Sequence, residues 1–268
     1  MKTEESNLYT SAEAYLNGPD GMNNEVTMWA VSAGVLLKEL VKKGVNTMYG
    51  GLHQNIGLEI KKLLPECSIL DMCSGPGNFP NYLSLVSDKI RVIGVDINPL
   101  FVKSANERFG QYGWQFIKAD ACSVNLMRQF NFVTASSAYH HITDELKEVF
   151  LRNINRHLLS SGKVIMCENF LPRYSSRRER INVVNTYYAS LDDYFKEGNA
   201  TIESQKAIRE VRELELSGVE EHKVDFHRFK YHLKKSGLEI ELDIPIWQPF
   251  SFKNSNAGSH VLLLRKST

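Results

Sequence analysis

From Cys67 to the end of the chain, short apolar runs rich in β-branched residues alternate with longer amphipathic stretches. This alternation is typical of βαβ units, in which helices connect parallel strands and cover both faces of one sheet. It predicts an α/β fold with a doubly wound sheet. The predicted strands are 68–72, 91–96, 114–117, 131–136, 162–168, 238–244 and 258–265.

Helices are predicted between these strands, at 79–87, 99–109, 144–159 and 225–236. Asp144 and Asp225 are placed as N-caps, because an aspartate carboxylate accepts hydrogen bonds from the free N–H groups of a first helical turn. Gly162 and Gly237 are placed just past the ends of the last two helices, where a left-handed residue commonly terminates a helix.

Two segments do not follow the alternation, and we interpret them as helical additions to the sheet. Residues 1–64 are predicted to form an N-terminal helical cap or lid, ahead of a core at 65–268. Residues 170–222 are too long for a simple loop and carry apolar side chains at helical spacing, which predicts two inserted helices. The insert's aromatic stripe, which includes Tyr187 and Tyr188, either packs a core or walls a pocket beyond the carboxyl ends of the strands.

The charge balance and the apolar runs argue against two classes of partner. Lysines plus arginines number 32 against 31 acids, and no basic stripe interleaved with aromatics is present, which disfavours nucleic acid. Apolar runs such as 30–37 are far shorter than the roughly 20 residues of a membrane span. The polar start at 1–6 lacks an apolar signal core, so we expect a cytoplasmic protein. A homodimer is an assembly that the sequence allows.

The cysteines give no sign of a disulfide framework or a zinc site. Cys67, Cys73, Cys122 and Cys167 are scattered, without CxxC pairs and without histidines at metal-ligand spacing. We expect them to be buried free thiols on or beside strands, since cysteine readily behaves as a small hydrophobic residue.

An apolar strand at 68–72 runs into a glycine turn and then a helix. Gly75 and Gly77 let the backbone turn sharply and approach a ligand, which a Cβ would obstruct. A second strand ends in Asp96, whose carboxylate can accept both hydroxyls of a ribose. Asp120 follows the third strand and places another carboxylate on the same sheet edge. Together these features indicate a nucleotide-type site.

The run from Asp71 to Gly77, Asp-Met-Cys-Ser-Gly-Pro-Gly, resembles the first motif of the class I methyltransferase family, Asp-x-Gly-x-Gly-x-Gly. Cys73 stands at the position of the first glycine. Residues 132–142 resemble the family's fourth-strand motif, in which a small residue and paired histidines follow the strand. The last two apolar runs are similar to the family's closing antiparallel hairpin, and the resemblance covers 67–265.

The resemblance implies a Rossmann-like, seven-stranded sheet with an antiparallel last strand, and S-adenosylmethionine as cofactor. Asp96 is then expected to hold the ribose hydroxyls, and Ile97 to pack on adenine. Asp120 and Ala121 are expected to meet the adenine amino group. The expected cofactor-binding residues are Asp71, Cys73, Gly75, Gly77, Asp96, Ile97, Asp120, Ala121, Ser136 and His141.

A Rossmann dehydrogenase or a flavodoxin-like fold is the alternative interpretation of these motifs. In that case Asp96 serves only as a turn former at the end of its strand. The dehydrogenase fingerprint needs a small residue three positions after the second glycine, so that helix and strand pack closely. Pro80 occupies that position, which disfavours the alternative.

Methyl transfer from a sulfonium is an in-line displacement, so the protein mainly aligns the nucleophile and excludes water. Where the acceptor carries a proton, an imidazole suits its removal. His140 at the end of the fourth strand and His222 at the close of the insert are the catalytic candidates, and His140 is preferred for its placement. A structural role for one of the paired histidines and a surface role for His222 are the alternatives. No acidic cluster of the catechol-methyltransferase kind is evident, so we expect no metal ion.

The chain is therefore predicted to be a methyltransferase that acts on an oxygen, nitrogen or carbon of a small organic molecule, in secondary metabolism. One alternative is an enzyme that uses the bound sulfonium as an electrostatic element in a non-methylating reaction. The other is a catalytically silent cofactor-binding or scaffold subunit. The expected substrate-binding residues are Tyr9, Tyr15, Tyr49, His53, Tyr187 and Tyr188, of which the first four belong to the N-terminal segment, where plain helix packing is the alternative.

Overall fold

The structure, a computed structural model, describes residues 68–79, 90–197, 202–219, 221–252 and 255–267. The strands in these ranges are β1 (Ser68–Met72), β2 (Arg91–Asp96), β3 (Gln115–Lys118), β4 (Phe130–Ser136), β5 (Leu158–Phe170), β6 (Leu238–Trp247) and β7 (Gly258–Lys266). The α-helices in these ranges are α1 (Pro99–Phe109), α2 (Lys147–His157), α3 (Arg177–Glu197), α4 (Ile202–Ser217) and α5 (Phe226–Lys235). The predicted cap at 1–64 and most of the helix predicted at 79–87 lie outside the described residues.

The strands form one seven-stranded sheet in the order β3-β2-β1-β4-β5-β7-β6. Strands β1 to β5 pair in parallel, whereas β7 runs antiparallel to both β5 and β6. The predicted α/β sheet with an antiparallel last strand is thus confirmed. Strand order reverses between β1 and β4, and in open α/β sheets ligands bind beyond the carboxyl ends of the strands at such a switch point.

Apolar layers cover both faces of the sheet. Neighbouring β1 side chains point to opposite faces, so Ile69 packs in a layer with Phe109 of α1. Leu70 packs in the other layer with Phe150 of α2 and Phe229 of α5. This two-sided burial explains why β1 reads as a nearly continuous apolar run, as is typical of parallel strands covered by helices.

The N-terminal and C-terminal ends of α5 are as predicted. The Asp225 side chain accepts a hydrogen bond of 3.0 Å from the backbone N–H of Arg228 and caps the helix. Gly237 follows the last turn with φ of +69°, a left-handed conformation that glycine adopts without a Cβ clash.

The predicted N-cap of α2 is wrong. The helix begins at Lys147, and the capping position belongs to Leu146, whose side chain makes no capping hydrogen bond. Asp144 instead lies with a carboxylate oxygen 3.8 Å from the Lys147 ammonium. Lys147, in the first turn of α2, thus pairs with Asp144. Asp144 itself precedes the helix and does not cap it.

Gly162 does not follow the end of α2 as predicted, because it lies within β5. The strand starts at Leu158, directly after the helix, where Leu158 pairs with Phe130 of β4. A Cβ on Gly162 would lie 2.8 Å from the Leu158 side chain and 3.0 Å from the Asn131 carbonyl oxygen. Close packing at the start of β5, rather than helix termination, therefore requires this glycine.

The insert forms the two predicted helices, α3 and α4, which pack on one another. Val184 and Tyr187 of α3 share a buried apolar cluster with Ile208 of α4 and Leu171 at the end of β5. None of the described helices is both long and apolar enough to cross a lipid bilayer.

Candidate functional site

The turn after β1 is built from left-handed residues. Cys73, Gly75 and Gly77 have φ of +56°, +53° and +79°. The Ser74 N–H donates to the Val95 carbonyl at 2.9 Å, which ties the turn to β2. A Cβ on Gly77 would lie 2.8 Å from the Phe109 ring, so this glycine is needed for close helix packing. A Cβ on Gly75 would meet no atom of the described residues within 4 Å, so this part of the turn leaves open space with respect to them.

Asp96 closes this turn from the end of β2. One carboxylate oxygen accepts from the Gly75 N–H and the other from the Asn98 N–H, each at 2.8 Å. Burial raises the pKa of Asp96, while these backbone N–H groups and the nearby His141 imidazole favour the ionised form. A carboxylate oxygen can accept a second hydrogen bond, so both oxygens retain capacity for ribose hydroxyls. The neighbouring Ile97 side chain is 59% exposed, as the predicted adenine contact requires.

Asp71 lies below the turn, fully buried on β1. It accepts a 2.6 Å hydrogen bond from the Thr134 hydroxyl, while its other oxygen is buried and has no hydrogen-bond partner among the described residues. Burial raises the pKa of Asp71 to about 7. The Ser74 hydroxyl in the turn is likewise buried and has no hydrogen-bond partner within the described part of the chain. Buried polar atoms of this kind call for a ligand that supplies hydrogen bonds.

The predicted adenine-binding residues lie at the end of β3. The Asp120 carboxylate binds groups of the loop that follows it, accepting hydrogen bonds from the Cys122 N–H at 2.8 Å and the Ser123 hydroxyl at 3.1 Å. Ala121 is buried, and its carbonyl accepts from the Asn153 side chain at 2.8 Å. Ser136 lies half-buried at the carboxyl end of β4. The contacts of these residues with a cofactor remain predictions.

His140 is a buried side chain on a short 3₁₀ turn that follows β4. Its Nδ1 pairs with a carboxylate oxygen of Glu168, at the carboxyl end of β5. The same oxygen accepts from the Asn169 N–H at 2.7 Å, and the other accepts from the His140 N–H at 3.3 Å. Burial lowers the pKa of His140, so the ring is neutral. With Nδ1 donating to the carboxylate, Nε2 keeps the ring's lone pair.

Glu221 completes the site from the far side of the insert. Its two carboxylate oxygens lie 3.8 Å from His140 Nε2 and 3.8 Å from His141 Nδ1. The two imidazole rings have centroids 4.2 Å apart. The strand-like segment that carries Glu221 is fixed because the His222 N–H donates to the His140 carbonyl at 2.7 Å. Histidine pair and carboxylate therefore form one cluster beside Asp96.

A buried ion network holds Glu221 in place. Lys223 pairs with Glu221 and lies 3.4 Å from a carboxylate oxygen of Glu215, on α4. Arg180 of α3 pairs with the other oxygen of Glu215. The Lys223 ammonium is the main attraction that lowers the pKa of Glu221 to about 2 against its burial. The network connects both inserted helices to the histidine cluster.

Lys147 fixes the turn that carries the histidines. Its buried ammonium donates to the carbonyls of Tyr139 at 3.0 Å and Ile142 at 2.6 Å, and it lies 4.4 Å from the centre of the Tyr139 ring. Burial lowers the pKa of Lys147 to about 8. A buried lysine that is shared by two carbonyls of one turn restricts the motion of that turn.

The tyrosines predicted to bind substrate divide into two sets. Tyr187 and Tyr188 are buried in the insert, and the Tyr187 hydroxyl donates to the Asn169 side chain at 3.4 Å. Their burial favours the packing interpretation, although Tyr187 reaches the residue next to Glu168. The other predicted residues lie outside the described part of the chain: Tyr9, Tyr15, Tyr49 and His53.

Glu168 and Glu221 are the main residues that the sequence analysis missed. Glu168 ends a predicted strand, which is the same signal that singled out Asp96. Glu221 stands beside His222, for which a surface role was one of the alternatives, and only the fold brings Glu221 to the histidines. His222 is half-buried next to this cluster, and its ring is not among the grouped side chains.

Residues 69–162 match a family model described as a methyltransferase domain. This match covers the cofactor turn, Asp96, Asp120 and the paired histidines. This stretch is therefore similar to methyltransferase domains, which use S-adenosylmethionine as cofactor, and it lies in the part of the sheet that carries the nucleotide-type site. No curated protein matches the sequence.

Solved structures share the methyltransferase fold at low sequence identity. An S-adenosylmethionine-dependent methyltransferase from Clostridium acetobutylicum is 12% identical with a TM-score of 0.52, over 87% of this chain and 100% of that one. PKMT2 from Rickettsia typhi, solved in complex with AdoHcy, is 15% identical with a TM-score of 0.51, over 78% of this chain and 52% of that one. The mitomycin 7-O-methyltransferase MmcR is 12% identical with a TM-score of 0.50, over 98% and 66%.

The site at the carboxyl edge of the sheet fits S-adenosylmethionine. The turn at Gly75 leaves the open space that a ligand close to the backbone requires, and Asp71 and Ser74 present buried polar atoms in need of partners. Asp96 offers a carboxylate at the ribose position of such folds. The individual contacts of these side chains remain predictions.

Proposed function

We propose that this methyltransferase transfers a methyl group to an oxygen, nitrogen or carbon of a small organic molecule. The observation that carries the proposal is the cluster of His140, His141 and Glu221 beside Asp96. A cluster of polar side chains at the carboxyl edge of the sheet, next to the ribose-binding acid, lies where an acceptor meets the transferred methyl.

Bound S-adenosylmethionine supplies an electrophilic methyl group on a sulfonium. The protein's part is to hold the acceptor in line with that methyl and to keep water away. His141, with a side chain 50% exposed, faces the open side of the cluster, whereas His140 is only 7% exposed. An acceptor that carries a proton is activated at this cluster, for which His140 remains the preferred histidine and His222 the second candidate.

The charge balance and one structural neighbour favour a small-molecule acceptor. The chain has a formal net charge of +1, and nucleic-acid enzymes generally carry a strong basic surface. MmcR, whose fold is similar, is a mitomycin 7-O-methyltransferase. We therefore place the acceptor among small organic molecules, in secondary metabolism.

The N-terminal segment and the insert are proposed to form the walls of the acceptor pocket. The ion pairs that connect helices α3 and α4 of the insert through Lys223 to the histidine cluster support this proposal. Residues 1–64 then form the lid, with Tyr9, Tyr15, Tyr49 and His53 as predicted contacts. Tyr187 and Tyr188 contribute to the wall mainly by packing.

Formation of S-adenosylhomocysteine from S-adenosylmethionine tests the proposal directly. The purified chain is incubated with panels of phenols, thiols, amines and enolisable carbonyl compounds, and both S-adenosylhomocysteine and methylated product are quantified. Product that depends on His140 supports the proposal, and a His227→Ala variant on the exposed side of α5 is the matched control. Tight cofactor binding without turnover on any panel would favour the silent subunit, and a converted acceptor without a methyl group would favour the non-methylating enzyme.

A further inference from the structure

Three side chains that commonly bind transition metals meet at the acceptor edge of the sheet. Among the described residues, His140, His141 and Glu221 each offer one ligand atom, and these atoms all lie within 4.8 Å of one another. The two measured separations between a ring nitrogen and a Glu221 oxygen are 3.8 Å each. In a tetrahedral site with bonds of about 2.0–2.1 Å, neighbouring ligand atoms lie about 3.4 Å apart. These two distances involve different oxygens of the carboxylate, so side-chain shifts of up to about 1.4 Å would close the set around one ion.

The orientation of His140 is that of a metal-binding histidine. Such a ring almost always donates its other N–H to a carboxylate or carbonyl, which fixes the tautomer and strengthens the ligand nitrogen. Glu168 accepts from His140 Nδ1 and is itself held by the Asn169 N–H at 2.7 Å. The lone pair of Nε2 consequently points toward Glu221 and away from Glu168.

We propose that His140 Nε2, His141 and Glu221 bind one divalent first-row transition cation, with Zn²⁺ as the best fit. Two histidines and one carboxylate leave at least one position open, as in catalytic zinc sites. The open position faces the side of the exposed His141 ring, where the acceptor enters. The cation would then bind the acceptor heteroatom, so this inference rests on the proposed function and specifies how that site activates its substrate.

The ion network around Glu221 limits the form of the site. Lys223 pairs with one Glu221 oxygen, so the carboxylate offers the cation its other oxygen, the one near His141. The surrounding carboxylates Glu168 and Glu215 and the cations Lys223 and Arg180 are already paired within the network. A buried charge without a counter-ion is costly, so the cation needs an anion at its open position.

That requirement defines the acceptor class as a hydroxyl that binds in ionised form. A divalent cation lowers the pKa of a bound O–H group, and the released proton passes to solvent. The acceptor's electron pair then forms the bond to the methyl carbon, while the bond from that carbon to the cofactor sulfur breaks and leaves its electrons on sulfur. The anion and the sulfonium together give two neutral products. His140 is then a ligand and not the proton acceptor.

The site could not be found from the sequence, because its ligands come from two distant segments, the adjacent histidines 140–141 and Glu221. No motif with a fixed spacing between metal ligands joins them. The expectation of no metal ion rested on the lack of an acidic cluster of the catechol-methyltransferase kind. That criterion does not detect a site in which two of the three ligands are histidines.

The test measures binding of Zn²⁺ alone to chelator-treated, full-length protein by calorimetry, with the visible absorption of the Co²⁺ form as a second probe. We expect one site per chain, with affinity lower by roughly 100-fold or more in His141→Ala and Glu221→Gln. Glu168→Gln should weaken it by about 10- to 100-fold, the usual effect of a side chain that orients a ligand. His227→Ala is the matched control, and circular dichroism verifies that each variant folds.

His141→Ala keeps the test decisive should Glu221→Gln disturb the ion network, since His141 lies outside the pairing of Lys223. Equal Zn²⁺ binding by the wild type, His141→Ala and the control would overturn the inference, as would Co²⁺ spectra without the intense bands of a low-symmetry site. If Zn²⁺ fails to bind while chelated protein still forms S-adenosylhomocysteine with an acceptor, the cation is wrong and the proposed function stands. If Zn²⁺ binds but no acceptor is turned over, the cation site stands and the proposed function is wrong.

Discussion

The two halves of the site are built in different ways. The proposed cofactor half lies at the carboxyl ends of β1, β2 and β3, where an aspartate lies in or directly after each strand and the backbone of the 73–77 turn supplies further N–H groups. The acceptor half comprises the 139–141 turn, Glu168 and the segment 221–225, which meet through buried ion pairs between distant parts of the chain. The first half depends on local conformation and the second on tertiary packing, so changes in the two should have separable effects.

The largest effect is expected for His140→Ala in the acceptor half. Turnover should fall by roughly 10²- to 10⁴-fold, whether His140 removes the acceptor's proton or binds the cation that activates the acceptor, while cofactor affinity changes little. His222→Ala should have a smaller effect, because its ring is not part of the cluster. Steady-state kinetics and calorimetric titration with S-adenosylhomocysteine measure the two quantities. A parallel loss of cofactor affinity in His140→Ala would break the separation of the halves.

Asp96→Ala should produce the second largest effect, now in the cofactor half. Loss of a hydrogen-bonded carboxylate should weaken cofactor binding by about 1.5 to 3 kcal/mol, or roughly 10- to 150-fold in Kd. The exposed acid Asp193 on α3 provides a matched control as Asp193→Ala. Unchanged affinity in a folded Asp96→Ala variant would remove Asp96 from the ribose site.

Asp71 should make the stability of the cofactor-free protein depend on pH. Its pKa is about 7 in the folded protein and 3.8 as a free group, so the folded state holds a proton that the unfolded state releases. The associated stability is fully present below pH 4 and is lost as pH rises through 7, with a slope of at most about 1.4 kcal/mol per pH unit. Urea unfolding from pH 4 to 8 should show this slope in the wild type and lose it in Asp71→Asn. An equal slope in both proteins would assign it to other groups.

The smallest effect separates two aspartates that the sequence analysis treated alike. Asp225→Ala removes the cap of α5, which follows the segment carrying Glu221, and should cost about 1 kcal/mol of unfolding free energy. Asp144→Ala removes only a half-exposed ion pair with Lys147 and should cost less than about 1 kcal/mol. Urea unfolding measures both, and equal losses would mean that capping does not distinguish these positions.

The difference between the halves also explains what could be predicted from the sequence. The strands and the cofactor turn are local patterns, so β1 and β2 have the predicted bounds and the left-handed glycines stand where expected. Gly162 was misplaced because its role comes from packing between Leu158 and Asn131, which no local pattern contains.

The acceptor half could be predicted only in part. The paired histidines lie in a motif that the sequence shows. The roles of Glu221 and Lys223 depend on the fold, which buries Glu221 near His140 and Lys223 near Glu215. A charged run in a sequence normally indicates an exposed surface, because burial of charge is costly without a partner. The partners here are far apart along the chain, so the run gave no sign that it was buried.

Cys73 has a consequence for how the cofactor turn can be observed. Its thiol is held in the 73–77 turn, and burial together with the nearby carboxylates raises its pKa well above the usual range. Only a thiolate reacts readily with alkylating reagents. Alkylation of Cys73 in the native protein should therefore be slow even though the side chain is partly exposed, because little of the thiol is ionised. The rate of Cys73 alkylation therefore reports on the turn, and a lower rate with added cofactor would measure how strongly ligand binding protects the thiol.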